Sequence, residues 1–352
     1  MQTIFDPELA AAMGTPLAPG EGLQHPPTMA EARAHFEQVA IAPFKAFQEP
    51  LLPSASAYIL RDETVLVEGG EIIIRCVVPV VEDAHDTFPV LVNMHGGGWS
   101  VGNIELDDYF LRQLSVEHKL STVNIEYRLA PEHPFPTAAN RPLCTPSSSS
   151  EFHTVNDCLA ALKWVVQNTE LLKADLNKGF LVGGQSAGGN LAAVLAHETV
   201  KDPFFTGPGR QLTGQVLREP LLVHPDAYPT ELKHVLLSME ENANVPPLPR
   251  TAIYHAIGLY NPPPADPRFS PLLYPAHTGV APAYVQGLEH DPLRDDAHAY
   301  AAALRAAGVP VRYIQYPGVT HGFHYEYPAI TAAVKARAEL VQGIQWLLGQ
   351  EA

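Results

Sequence analysis

The stretch Gly184-Gln185-Ser186-Ala187-Gly188-Gly189-Asn190 constrains this chain more than any other. It follows a short apolar run, 179–183, and precedes a run with helical spacing, Leu191 to His197. Strand, Gly-x-Ser-x-Gly, helix is the context in which a serine sits on a sharp, strained turn with its hydroxyl exposed. The flanking glycines remove Cβ atoms that would clash in so tight a turn. Ser186 would then stand at a helix N-terminus, where unpaired backbone N–H groups favour negative charge. Alone, the pattern also fits a plain glycine-rich turn. A second motif, His95-Gly96-Gly97-Gly98-Trp99, lies upstream directly after an apolar run ending at Met94.

Length and composition narrow the field. The 352 residues fit two domains or one α/β domain with an inserted lid. With 46% hydrophobic and 17% charged residues the chain can bury a large core. A formal net charge of −16 argues against nucleic acid and anionic membrane surfaces as partners. The cysteines, Cys76, Cys144 and Cys158, lack metal-ligand spacing and read as idle thiols in a reducing, cytoplasmic compartment. The N-terminus has no basic and apolar leader pattern, so no secretory signal is expected. No uncharged apolar run approaches the roughly 20 residues of a membrane helix.

Residues 1–55 are rich in Ala, Pro and Glu, and Met29 to Phe47 carries apolar residues at helical spacing. One or two short helices outside the sheet are expected there. Glu63–Val67 and Glu71–Val78, joined through Gly69-Gly70, read as a hairpin. Strands are expected at Pro89–Met94, Leu120–Ile125, Gln215–His224, Ala283–Gly287 and Val311–Tyr316. Helices are expected at Thr154–Asn168, Asp295–Ala307 and Ile330–Leu348. Strands alternating with helices give a three-layer α/β fold with a mostly parallel sheet. Two regions do not fit that sheet. Residues 141–153, with four consecutive serines, read as a disordered surface loop without a catalytic role. Residues 225–271 cluster prolines between short amphipathic pieces and read as a lid insertion.

The chemistry these motifs support is acyl transfer through serine. It needs a nucleophile, a base, a group that orients the base, and donors for an oxyanion. In this sheet type the order along the chain is Ser, then Asp or Glu, then His, each in a loop after a strand. Ser186, Asp291 and His321 satisfy both conditions. Asp295 and Asp296 rival Asp291, but register puts them in the next helix. His290 and His324 read as surface or packing residues. The N–H groups of Gly97, Gly98 and Ala187 would form the oxyanion hole. His95 reads as structural, fixing its loop by a hydrogen bond.

Together, His95–Trp99, Tyr127–Pro136, Gly184–Asn190, Asp291–Asp295 and His321–Phe323 resemble the hormone-sensitive-lipase-like branch of the α/β-hydrolases, which includes arylacetamide deacetylases and many bacterial and fungal carboxylesterases. The resemblance runs from about residue 55 to the end. It implies an α/β-hydrolase catalytic domain over 56–352, with a lid built from the N-terminal helices and the segment after the sixth strand. It also implies a cofactor-free, metal-free serine esterase acting on small or medium apolar esters, as in fungal secondary metabolism, with a homodimer left open. A ligand-binding receptor on the same fold, or a lyase or acyl-transfer enzyme, are the rivals. An intact Ser186, Asp291 and His321 argues against the receptor. Two features depart from the family: the insertion near 141–153, and Gln185 where Asp is frequent. Gln185 is expected to do no chemistry, so that Gln185→Asp would be nearly neutral for activity, with pH dependence and elbow support left open to differ.

Overall fold

The computed structural model describes residues 4–14, 28–83, 85–135 and 153–350. The expectation for 141–153 therefore lies outside the described residues, apart from His153, which opens a helix. Eight strands form one sheet in the order β1-β2-β4-β3-β5-β6-β7-β8. They are β1 (Tyr58–Val67), β2 (Gly70–Pro79), β3 (Val90–Met94), β4 (Ser121–Glu126), β5 (Phe180–Gln185), β6 (Gly214–Arg218), β7 (Ala283–Leu288) and β8 (Val311–Tyr316). β1 and β2 form the expected antiparallel hairpin, and β2 is antiparallel to β4. Every pairing from β4 to β8 is parallel.

Twelve regular segments of helix accompany the sheet among the described residues. They are α1 (Pro7–Met13), α2 (Met29–Phe36), a π turn (Glu37–Ile41), α3 (Ala42–Gln48), α4 (Asp108–His118), α5 (His153–Gln167), α6 (Ala187–Lys201), α7 (Ser238–Glu241), α8 (Arg250–Tyr260), α9 (Arg294–Ala306), α10 (Phe323–Glu326) and α11 (Thr331–Leu347), besides short 3₁₀ turns. β3, β5, β6 and β7 are buried at every position, which explains their near-continuous apolar runs. Alternation along the strands separates two cores. Val90, Val92 and Met94 face the layer of α5, α6 and α9, where Leu162, Leu191 and Leu304 lie. Leu91, Leu181 and Val216 face α4 and α11, where Leu114 and Ile344 lie. The result is the three-layer α/β-hydrolase fold expected from the sequence.

Local chemistry sets the ends of the outer helices. Thr28 and Glu31 form a reciprocal capping box at the start of α2. Asp6 accepts from the backbone N–H groups of Glu8 and Leu9, and Pro7 follows it at the first helical position of α1. α1 then packs Leu9 beside Tyr316, Val319 and Phe323, near the end of β8.

Two elements differ from the sequence reading. The strand expected over Gln215–His224 ends at Arg218. Glu219 has φ 33°, and Pro220 has no N–H to extend a ladder. Leu222 and Val223 leave the sheet and donate their backbone N–H groups to the Asp296 carboxylate. Helix α4 was not expected. Asp107 and Asp108 at its start are both buried, paired with Arg218 and Arg112 respectively.

Candidate active site

The turn after β5 throws the chain back over the sheet. Ser186 has φ 55° and ψ −115°, a conformation that costs free energy for a non-glycine residue and marks functional turns. It is pinned on both sides: its N–H donates to the Arg218 carbonyl at 2.9 Å, and its carbonyl accepts from Asn190 at 2.9 Å. Asn190 in turn donates its side-chain amide to the carbonyls of Leu221 and Phe269. A Cβ on Gly188 would fall 2.0 Å from the Met94 carbonyl oxygen, so only glycine lets α6 close against the end of β3.

That same end of β3 carries the glycine loop. Gly97 has φ 120°, and a side chain there would strike the Val101 carbonyl at 2.1 Å. His95 fixes this loop as expected: its Nδ1 lies 2.8 Å from the Gly96 carbonyl, and its ring stacks on Tyr127 at 4.2 Å. The Tyr127 hydroxyl donates to the His95 carbonyl. Burial pushes the His95 imidazole down to about 4, so it stays neutral. Trp99 closes the loop by stacking on Tyr260 at 5.0 Å.

β7 and β8 end in the loops that carry Asp291 and His321. His321 Nδ1 lies 2.7 Å from Asp291 Oδ2. Asp291 is fully buried, and its other oxygen accepts from the Leu293 N–H. Burial lowers the imidazole's affinity for a proton, but the charge and hydrogen bond of Asp291, with Glu219 and Glu326 nearby, outweigh it and hold His321 above the ordinary histidine range. The rivals are occupied elsewhere. Asp295 accepts from the N–H groups of Leu237 and Ser238, and Asp296 holds Leu222 and Val223. His290 contacts the Ile4 carbonyl. His324 is buried with its Nδ1 3.6 Å from Glu219.

Ser186, His321, Gly97 and Gly98 border one cavity of about 300 Å³. Its other walls are largely apolar and include Met29, Phe36, Val39, Leu248 and Leu259. These come from α2, the π turn and the segment after β6. Ala187 is buried at the first position of α6, behind Ser186. Among the described residues no cluster of His, Cys, Asp or Glu could hold a metal ion, and no helix is long and apolar enough to cross a membrane.

Gln185, for which the sequence showed no contact with the site, lies beside His321: its Nε2 is 3.2 Å from His321 Nε2 and 3.0 Å from Glu219 Oε1. The side chain of this strand-end residue reaches the loop after β8 that carries His321. Sequence reasoning also missed Glu219 and Glu326. Burial pushes both carboxyls up to about 7, with neighbouring His321 pulling the other way. Glu219 had a legible signal, a carboxylate just past an apolar strand at the sheet's carboxyl edge.

A family profile described as alpha/beta hydrolase fold matches residues 91–143 and 152–325. The chain belongs to the α/β-hydrolases. The profile passes over residues 144–151, within the serine-rich insertion that departs from the family spacing. Among its curated relatives, this α/β-hydrolase is 34% identical over 313 residues to the carboxylesterase NlhH of Mycobacterium tuberculosis, covering 87% of this chain and 85% of the relative. It is 32% identical over 264 residues to the versiconal hemiacetal acetate esterase of Dothistroma septosporum, covering 74% of each. The crystal structure of vibralactone cyclase is also similar, with 37% identity, a TM-score of 0.88, and 99% of this chain and 96% of that one covered. The esterase family expected from the motifs is thus borne out.

Proposed function

We propose that this chain hydrolyses small or medium, largely apolar esters free in solution, with Ser186 as nucleophile, His321 as base and Asp291 as the group that orients it. That the chain is a carboxylic ester hydrolase rests on its family and its esterase relatives. The observation that carries the residue assignment is the meeting of Ser186, the Asp291-paired His321 and the Gly97–Gly98 backbone at one apolar cavity.

Ser186 Oγ attacks the ester carbonyl carbon while His321 Nε2 takes its proton. The oxyanion forms against the N–H groups of Gly97, Gly98 and Ala187, donors fixed before the charge develops. The tetrahedral adduct collapses, the C–O bond to the alcohol breaks, and His321 returns the proton to the leaving oxygen. Water then attacks the acyl-serine, His321 takes a proton from it, and the acid departs as Ser186 recovers its own. Asp291 holds the imidazole tautomer and stabilises the imidazolium in both halves. We read α2, the π turn and the segment around α7 and α8 as the lid over this cavity.

A second reading is favoured by the likeness to vibralactone cyclase, which extends over nearly the whole chain. An acyl-serine attacked by a hydroxyl of its own acyl group closes a lactone ring without water, as the serine ester bond breaks and the hydroxyl's proton passes through His321 to Ser186. A series of p-nitrophenyl esters of increasing acyl length, run with a serine-directed phosphonate, tests the first reading. The expected outcome is turnover of soluble short and medium esters, abolished as Ser186 is labelled and unaffected by chelators. Turnover that rises only above the substrate's solubility limit would reject the soluble-ester assignment. Wild-type protein that binds but does not turn over esters would reject hydrolysis.

A further inference from the structure

We propose that Gln185 is a positioning residue: its side-chain amide, anchored on Glu219, holds the His321 imidazole from the side that Asp291 does not reach. This rests on reading His321 as the base. His321 Nδ1 faces Asp291 at 2.7 Å and donates its hydrogen there, so Nε2 carries the lone pair. The Gln185 amide nitrogen has two hydrogens and no lone pair to offer. One points to Glu219 Oε1 at 3.0 Å and the other to His321 Nε2 at 3.2 Å. The lone pair on His321 Nε2 fixes this orientation, because the swapped amide would set its oxygen against that lone pair. The far end of the amide presses on the oxyanion loop: a Cβ on Gly96 would lie 1.9 Å from Gln185 Oε1. The side chain thus spans from His321 to Gly96, at the start of the glycine loop.

The surroundings are built for this contact. Gln185 and Glu219 are both buried. Glu219 holds a backbone φ of 33°, and strain of that kind persists where the fold over-determines it. Its N–H donates to the Gln286 carbonyl at 2.9 Å, locking the turn that brings its carboxyl beneath the base. The charged and titratable groups around His321 are Asp291 after β7, Glu219 after β6, and Glu326 and His324 on α10. Arg218 acts on Glu219, and His324 Nδ1 lies 3.6 Å from it.

The consequence is competition for one lone pair. The Ser186 proton and the Gln185 amide proton both seek His321 Nε2. A donor to the neutral imidazole stabilises the neutral form, so Gln185 opposes the Asp291 carboxylate, and Glu219 and Glu326 once ionised, which favour the imidazolium. Gln185 therefore moderates the base as well as orienting it.

Gln185→Leu, Gln185→Glu and Glu219→Gln, assayed on a soluble p-nitrophenyl ester across pH, test this. In Gln185→Leu the acid limb of kcat/KM should move to higher pH, with kcat down about tenfold and KM nearly unchanged, as expected when a group acts on the base and not on the ester. Gln185→Glu, nearly isosteric, should move the limb further in the same direction because it adds a negative charge beside Nε2. Glu219→Gln should lower the limb. Melting curves and phosphonate labelling of Ser186 accompany each variant. If Gln185→Leu does not fold, the Gln185→Glu profile decides. Folded, phosphonate-reactive variants whose pH profiles overlay that of the wild type would overturn the role of Gln185. Failure of the triad reading looks different: wild type unlabelled at Ser186, or His321→Ala retaining full turnover.

Discussion

The floor of the cavity is made of strand ends and the turns that follow them, whereas its roof is made of α2, the π turn and the chain around Leu248 and α8. The floor draws on residues as distant as Gly97 and His321, brought together by the strand ends of one sheet. Ser186 hangs on the backbone hydrogen bonds to Arg218 and Asn190, and His95 locks the glycine loop from within. The roof has no sheet ladder. It is tied down by individual side chains, such as Arg33, which donates to the Ser100 and Ala130 carbonyls and pairs with Glu132. Asp295 and Asp296, in the first turn of α9, hold the root of the roof segment. A floor set by backbone can keep one chemistry while a roof set by side chains changes what it admits.

The largest effect should come from the floor. Ser186→Ala is expected to reduce kcat on the order of 10⁴-fold or more, and Ser186→Ala with His321→Ala should cost little beyond either alone, because the two act as a unit. The melting temperature should hardly change, since the alanine fills the same turn. Residual turnover near the wild-type level would mean that the nucleophile lies elsewhere.

Legibility in the sequence follows the same division. The floor was readable because a tight turn beside a buried strand admits few residues: Gly97 is required by the nearby Val101 carbonyl and Gly188 by the close approach of α6 to the end of β3. The placement of Asp291 and His321 in loops after β7 and β8 followed from the alternation of strands and helices. The hairpin, the parallel strands and α5, α9 and α11 announced themselves by apolar period. What was not readable depends on tertiary partners. α4 hides behind Asp107 and Asp108, whose burial makes sense only with Arg218, from β6, and Arg112 in place. The end of β6 depends on Glu219 and on the Asp296 carboxylate arriving from another segment. The nearness of Gln185 to His321 joins two residues far apart in the chain, and no local pattern encodes it.

The next effect tests how the roof is rooted. Asp296 is buried with one oxygen accepting from Leu222 and Val223. Asp296→Ala leaves both donors unpaired and should destabilise the protein by about 2–5 kcal/mol. Burial, with Asp295 and Asp291 close by, pushes its carboxyl up to about 8 despite those two hydrogen bonds. A raised carboxyl favours the folded state most fully below the unfolded value near 4, and that contribution is lost as pH rises through about 8. Asp296→Asn should therefore flatten the decline of melting temperature between these limits. An unchanged slope in Asp296→Asn would show that Asp296 is already ionised in the folded protein at neutral pH.

The smallest effect should come from the roof wall itself, and it is the one that reads the comparison most directly. Leu248 is half-buried and lines the cavity opposite the floor. Leu248→Ala removes apolar volume without touching the strand ends, so kcat on a short ester should stay within a few-fold of wild type. Acyl groups too bulky for the native cavity gain room, and those that packed against the leucine lose contact. A methylene in a hydrophobic pocket discriminates by about 1–3 kcal/mol, so the ratio of kcat/KM between a bulky and a short ester should shift by about tenfold or more toward the bulky one. The acid limb of the pH profile should stay where it is, because none of Asp291, Glu219, Glu326 or Gln185 has moved. A variant that folds but keeps the wild-type ratio would place selection in the floor, and the division between the two regions would fail. A variant that shifts the acid limb would show that roof packing reaches His321, and the roof would then belong to the chemistry as well as to the fit.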